Sequence, residues 1–340
     1  MVKHGAAAYT FAVALAVGVL AAIAAAVQSI GVCYGTLGTS LPSASDVVQL
    51  YTSNSITSMR KYAPYGDALQ ALGGTNIGLI LDTGNDDLAK LAASPANAAA
   101  WVKTNIQSHK NVNFKYIAVG NEVPDQGGKL TDILPAMNNI QTALLNAGIS
   151  GIKVSTAVHS GVTLGFPPSK GTFNKTYNMG PITKFLASNG APLLANVYPY
   201  FAYKRDMTNI HLDYALFTSP IFVVNDTNGN QYQNLFDAMV DTFYSALESV
   251  GAGTVPIVVS ESGWPSAGGD GITETAGNAQ TYNQNLINHV RTGKGTPKRP
   301  GAIEAYIFAM FNENNKNGPE TEKHFGLFNP DKSPAYKINF

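Results

Sequence analysis

VPIVVSESGWPS, residues 255–266, runs from an unbroken apolar stretch into Ser260, Glu261, Ser262, Gly263, Trp264 and Pro265. A strand with one wet face alternates apolar and polar residues; this one is apolar at successive positions, as strands covered on both faces of a parallel sheet are. Comparable runs lie at residues 30–34, 58–62, 77–81, 116–119, 152–158, 193–197 and 303–310, which with 255–260 makes eight strand candidates. Between them fall segments with helical periodicity, among them 44–52, 96–106, 130–145, 234–250 and 276–290. Parallel neighbours need a crossover of about a dozen residues or more, normally a helix. Eight alternating units therefore point to an α/β domain, a single (β/α)8 TIM barrel, in preference to an open doubly wound sheet. Residues 30–340 form one domain on this reading, without a Pro, Gly or Ser linker. Residues 198–233 follow strand six, are rich in Tyr and Asn and show no clear helix. In a barrel such excess length after a strand belongs to the active-site face.

Composition narrows the partners. The 340 residues are 45% hydrophobic and 13% charged, enough for a large core. Lys plus Arg equals Asp plus Glu at 22 each, so no global charge favours nucleic acid or anionic lipid, and a neutral polymer suits better. Lys3 and His4 precede an apolar, Ala-rich run over residues 6–27, which reads as a secretory signal peptide spanning 1–29, cut between about 26 and 29. No basic stop-transfer cluster follows, so no membrane attachment is expected after cleavage. Cys33 is the sole cysteine; export brings no intrachain disulfide, and its apolar setting predicts a buried, inert thiol. Asn174 and Asn225 head Asn-x-Thr sequons. The six His are scattered and one Cys cannot build a thiolate site, so neither metal nor cofactor is expected.

The chemistry centres on two acids. Residues 116–123, YIAVGNEV, repeat the plan of 255–266: an apolar strand gives way to Asn121 and Glu122, as the other gives way to Glu261. Barrel strands present their C-terminal ends to a common face. Cleavage of a glycosidic bond needs one carboxyl to protonate the leaving oxygen and another to attack or to activate water. Each Glu alone reads as a structural acid; two such acids after apolar strands in a sparsely charged chain read as a pair.

The segments IGVCYG (30–35), VGNEV (119–123), NVYPY (196–200), VVSESGWPS (258–266), YIFAMFNEN (306–314) and FGLFN (325–329) resemble, in this order and over residues 30–340, glycoside hydrolase family 17, the plant β-1,3-glucanases. The resemblance implies a retaining mechanism with Glu122 as acid/base and Glu261 as nucleophile. It makes Asn121 the amide that grips a sugar 2-hydroxyl, and sets Glu313, Lys316 and Glu322 as a charged cluster beside the pair, where a solvated loop salt bridge is the alternative. Tyr34, Tyr200 and Trp264, at the ends of strands one, six and seven, either face glucose or pack the rim. The implied substrate is a β-glucan polysaccharide, cut internally at β-1,3 bonds outside the cell, in the apoplast or cell wall, or in a vacuole, by a monomer with an open groove. A β-1,3;1,4-glucanase on the same fold is the nearest rival, and an inactive carbohydrate-binding barrel is another.

Overall fold

A computed structural model describes residues 30–340; the leader expected over residues 1–29 lies outside the described residues. The eight strands are β1 (Gly31–Tyr34), β2 (Ser58–Lys61), β3 (Gly78–Asp82), β4 (Asn113–Asn121), β5 (Lys153–His159), β6 (Leu193–Asn196), β7 (Ile257–Ser262) and β8 (Glu304–Ile307). All pair in parallel and close in the order β1-β8-β7-β6-β5-β4-β3-β2. The barrel expected from the alternating pattern is the one observed, and an open sheet is ruled out by the β1–β8 pairing of Gly31 with Tyr306 and Val32 with Ile307. Val32, Leu79, Ile117, Val154, Leu194, Val259 and Ile307 are all buried, which explains the unbroken apolar runs.

The connecting helices are α1 (Ala44–Ser53), α2 (Gly66–Leu72), α3 (Leu88–Ala93), α4 (Pro95–Asn105), α5 (Leu130–Asn146), α6 (Met179–Asn189), α7 (Pro199–Arg205), α8 (Leu212–Ala215), α9 (Leu235–Ser249) and α10 (Ala276–Arg291). Side-chain caps set several starts: Ser43 accepts from the Asp46 N–H before α1, Asn234 from Asp237 before α9, and Thr275 from Asn278 before α10. At α4, Ser94 caps and Pro95 opens the first turn, where its missing N–H costs nothing.

Three expectations need correction. Residues 198–233 do carry helix, the short α7 and α8, plus a hairpin pairing Val224–Asn225 with Gln231–Tyr232. Pro199 starts α7, and four or seven residues are too few for periodicity to show. Strand eight ends at Ile307, not 310: the Phe308 amide still bonds to Ser262 of β7, but the Ala309 amide leaves the barrel for the Phe325 carbonyl. Strand seven runs on to Ser262, so Glu261 lies inside a strand and not just beyond one. Among the described residues no α-helix follows β8, only a single 3-10 turn at Glu320–Lys323.

Candidate active site

Both glutamates stand where the barrel ladder slips. Between β4 and β5, Ala118 pairs with Ser155 and Asn121 with Ala157, three steps against two. Between β7 and β6, Val259 pairs with Ala195 and Glu261 with Asn196, two steps against one. An extra residue in one strand bends it and re-aims the side chains that follow. Gly120 takes up the turn at φ +84°, and Glu122 itself is held at φ +50°, a left-handed conformation that costs a non-glycine residue of order 1 kcal/mol or more. The Glu122 N–H bonds to the Ala157 carbonyl at 2.9 Å, which ties this strained residue to the neighbouring strand.

Below the pair lies a side chain that sequence reasoning passed over. Arg60 of β2 is fully buried and reaches across the barrel. It holds Asp82 through two bonds, Nε to Oδ1 at 3.2 Å and Nη2 to Oδ2 at 2.7 Å. Its Nη1 donates to Glu261 Oε1 at 2.9 Å and to Asn196 Oδ1 at 3.0 Å, and its Nη2 to Asn121 Oδ1 at 2.9 Å. Glu261 also accepts from Tyr62 Oη, 2.7 Å from Oε1, and from Tyr198 Oη, 2.7 Å from Oε2. Burial holds both phenols well above their ordinary range, so each remains a donor. One guanidinium and two hydroxyls therefore stabilise a charged Glu261 carboxylate.

Glu122 meets a different environment. Among the described residues, the one side chain bonded to its carboxyl is Asn196, whose Nδ2 donates to Oε1 at 2.8 Å. Burial first, and then the charge of Glu261, push its carboxyl up to about 7. Two carboxyls with opposed environments are the acid/base division that glycoside cleavage uses. Asn196 joins them, because its Oδ1 accepts from Arg60 and from Ser260 Oγ at 2.8 Å while its Nδ2 serves Glu122 and Asn121. Asn121 Oδ1 is saturated by Arg60 and Asn196, which leaves its NH2 group to donate into the cleft.

The charged residues after β8 gather at the same rim. Glu313 is buried, accepts the Leu37 N–H at 2.6 Å, and is raised by burial first. It lies so near Gly35 that a Cβ there would come within 2.3 Å of its Oε2, a close approach only glycine allows. Lys316 pairs with Glu322 at 2.9 Å, sits 4.1 Å from the Phe308 ring centre, and its charge acts on Glu122.

The aromatic expectations fare differently. Trp264 is fully buried, donates from Nε1 to the Thr273 carbonyl at 2.9 Å, and packs among Tyr200, Tyr203 and Tyr282. Tyr200 is buried on α7 with its hydroxyl on Glu274 at 2.6 Å. These two support the rim from within and have no face left for sugar. Tyr34 is buried too, its ring edge-on to Phe311. The phenols that do reach the acid pair are Tyr62 and Tyr198, both on Glu261, and a Tyr within two residues of each of two strand ends was the available signal. Cys33 matches its reading: it is buried, donates to the Ser260 carbonyl at 3.4 Å, and burial pushes its thiol up.

Paired carboxyls on the C-terminal rim of a closed (β/α)8 barrel, one raised by burial and the other bonded to a guanidinium and two phenols, are the arrangement that a glycoside hydrolase uses. The profile of Glycosyl hydrolases family 17 matches residues 30–340. The chain belongs to that family. The acidic isoform of glucan endo-1,3-beta-glucosidase from Zea mays is 63% identical over 342 aligned residues, covering 100% of both chains. Lichenase-2 of Hordeum vulgare is 51% identical over 92% of this chain and 99% of its own. Among solved structures, CJP38, a beta-1,3-glucanase and allergen of Cryptomeria japonica pollen, superposes with a TM-score of 0.89 at 51% identity, covering 92% of this chain and 99% of that one.

One pH dependence follows from the geometry. An acid catalyst works only while protonated, so kcat/KM is expected to fall as pH rises through about 7, the value to which Glu122 is pushed. A pH–rate profile in wild type and in Glu122→Gln checks this; a wild-type alkaline limb centred below about pH 5.5 would be that of an ordinary carboxyl and would mean that burial does not raise Glu122, whereas an alkaline limb unchanged in Glu122→Gln would remove it from the role.

Proposed function

We propose that this enzyme hydrolyses internal β-1,3-glucosidic bonds of β-glucans with retention, Glu122 serving as acid/base and Glu261 as nucleophile. The opposed environments of these two carboxyls carry the reading. In the first step Glu261 attacks the anomeric carbon while Glu122 gives its proton to the leaving oxygen, forming a glycosyl ester and a shortened chain. In the second, Glu122 takes a proton from water, which displaces Glu261 and returns both acids to their starting states. The Asn121 amide donates to the 2-hydroxyl, where a hydrogen bond strengthens as positive charge builds on the ring.

The linkage reading rests on the 63% identity to the maize enzyme against 51% to the barley lichenase. Initial rates on linear β-1,3-glucan and on mixed-linkage β-1,3;1,4-glucan decide it. The expected result is at least about a ten-fold preference for the former, equivalent to about 1.4 kcal/mol of differential transition-state binding. A preference for mixed-linkage glucan would reverse the assignment. The sequence supports export through cleavage of the leader over residues 1–29, after which the exposed Asn225 on its hairpin is a glycan acceptor. Among the described residues no helix is long and apolar enough to cross a membrane.

A further inference from the structure

Lys61, the last residue of β2, is only 1% exposed, although it stands at the strand end that opens on the catalytic face. Its Nζ lies 4.5 Å from the ring centre of Tyr34 and 4.3 Å from that of Tyr65. Among the described residues the ammonium's one hydrogen bond is a long one to Thr36 Oγ1 at 3.4 Å. Burying an ammonium is unfavourable unless something replaces its water, and two aromatic faces supply the negative potential that does so.

The two rings are unlike. Tyr34 is buried against Phe311, whereas Tyr65, in the loop between β2 and α2, is 50% exposed. With its ring against the ammonium, Tyr65 still keeps half its surface exposed, and it follows the C-terminal end of β2, the barrel end that also carries Glu122 and Glu261. A glucosyl ring presents a flat array of C–H groups, which an aromatic face receives well. Lys61 directly follows Arg60, which grips Glu261, so this ring is held in register with the nucleophile by a single strand.

We propose that Lys61 is a positioning residue that pins Tyr65 as a stacking platform for a glucosyl unit away from the bond being cut, with Tyr34 as its backstop. The proposal rests on the reading of the chain as a β-glucan endohydrolase. The charged groups around the clamp are Glu313 after β8, Asp67 on α2, Asp82 on β3 and Arg60 on β2, with the phenols of Tyr34 and Tyr65 on its faces. Burial lowers the Lys61 ammonium to about 8 against the pull of those three acids, while burial pushes the Tyr34 phenol up to about 12. The clamp is therefore charged at neutral pH and loses its charge as pH rises through about 8.

The test compares kcat and KM for wild type, Lys61→Met, Lys61→Arg and Tyr65→Ala on β-1,3-gluco-oligosaccharides, from the shortest that is cut to long chains. Lys103→Met, an exposed lysine on α4, is the control. Lys61→Met and Tyr65→Ala are expected to raise KM on long chains about five-fold with kcat changed less than about two-fold, the scale of one cation–π contact. The shortest substrate should show no such rise, and Lys61→Arg should restore wild-type KM. The ratio of KM in Lys61→Met to that in wild type should fall toward one between about pH 6 and pH 9, as the wild-type clamp discharges. An unchanged KM in Tyr65→Ala, an exposed site whose substitution leaves the core intact, overturns the platform. A rise equal for short and long chains, or a ratio flat with pH, reduces Lys61 to packing and overturns the positioning role. Wild-type enzyme that cuts no β-1,3 bond at any length refutes the functional reading instead of the platform.

Discussion

Glu261→Ala is expected to lower kcat on β-1,3-glucan by on the order of 10⁴-fold, with the protein still folded and still binding the polymer. The side chain sits on β7 against Arg60, Tyr62 and Tyr198, and those donors hold a carboxylate that is presented to the cleft as the attacking group. Alanine removes the attacking oxygen and leaves room for a small anion beside a cationic Arg60. Azide should therefore restore part of the rate. Since Glu122 still protonates the leaving oxygen, the product is an α-glucosyl azide, formed by a single displacement from the face that Glu261 occupied. Product configuration by proton NMR checks this directly. A β-configured azide, or full activity without azide, would remove Glu261 from the nucleophile's role.

The second large effect belongs to Arg60. Arg60→Met should cost about 3–5 kcal/mol of folding stability, a large share of the 5–15 kcal/mol typical of a domain. Methionine fills the volume but leaves Asp82 and Glu261 buried without their cation, and leaves the carbonyl oxygens of Asn121 and Asn196 each short of a donor. Equilibrium denaturation in urea measures the loss. Adding Asp82→Asn should return part of the stability, because it removes one of the two stranded charges, while activity stays low because Glu261 remains unsupported. A loss under about 1 kcal/mol in Arg60→Met would mean that water replaces the guanidinium and that the network is not what holds the strands' ends together.

The barrel and the placing of two glutamates at strand ends on one rim could be read from the sequence because both depend on local pattern. Residues 257–259 are apolar without a break and the whole strand to Ser262 is buried, as a strand covered on both faces must be. What could not be read depends on direction. Tyr200 and Tyr198 are two positions apart after the same strand, yet Tyr198 reaches Glu261 and Tyr200 turns to Glu274, since α7 begins between them. Trp264 stands three residues past Glu261, but the chain folds it beneath the rim, where its N–H finds the Thr273 carbonyl. Arg60 offered a signal that went unused: an arginine inside SMRKY, a strand of a barrel in a sparsely charged chain, must find its partners across the interior. Its partners come from positions 22 to 201 residues away, which no local pattern reveals.

The Arg60 network has a bearing on how the enzyme could be remade. It ties together the ends of β2, β3, β4, β6 and β7 below the level at which the loops depart. Grafting a foreign loop onto any one of those strands would leave the other anchors in place, so the reactive floor should survive exchanges that reshape the groove above it. Laboratory evolution of a new polymer preference is thus best confined to loop cassettes, with the five strand ends treated as a fixed chassis.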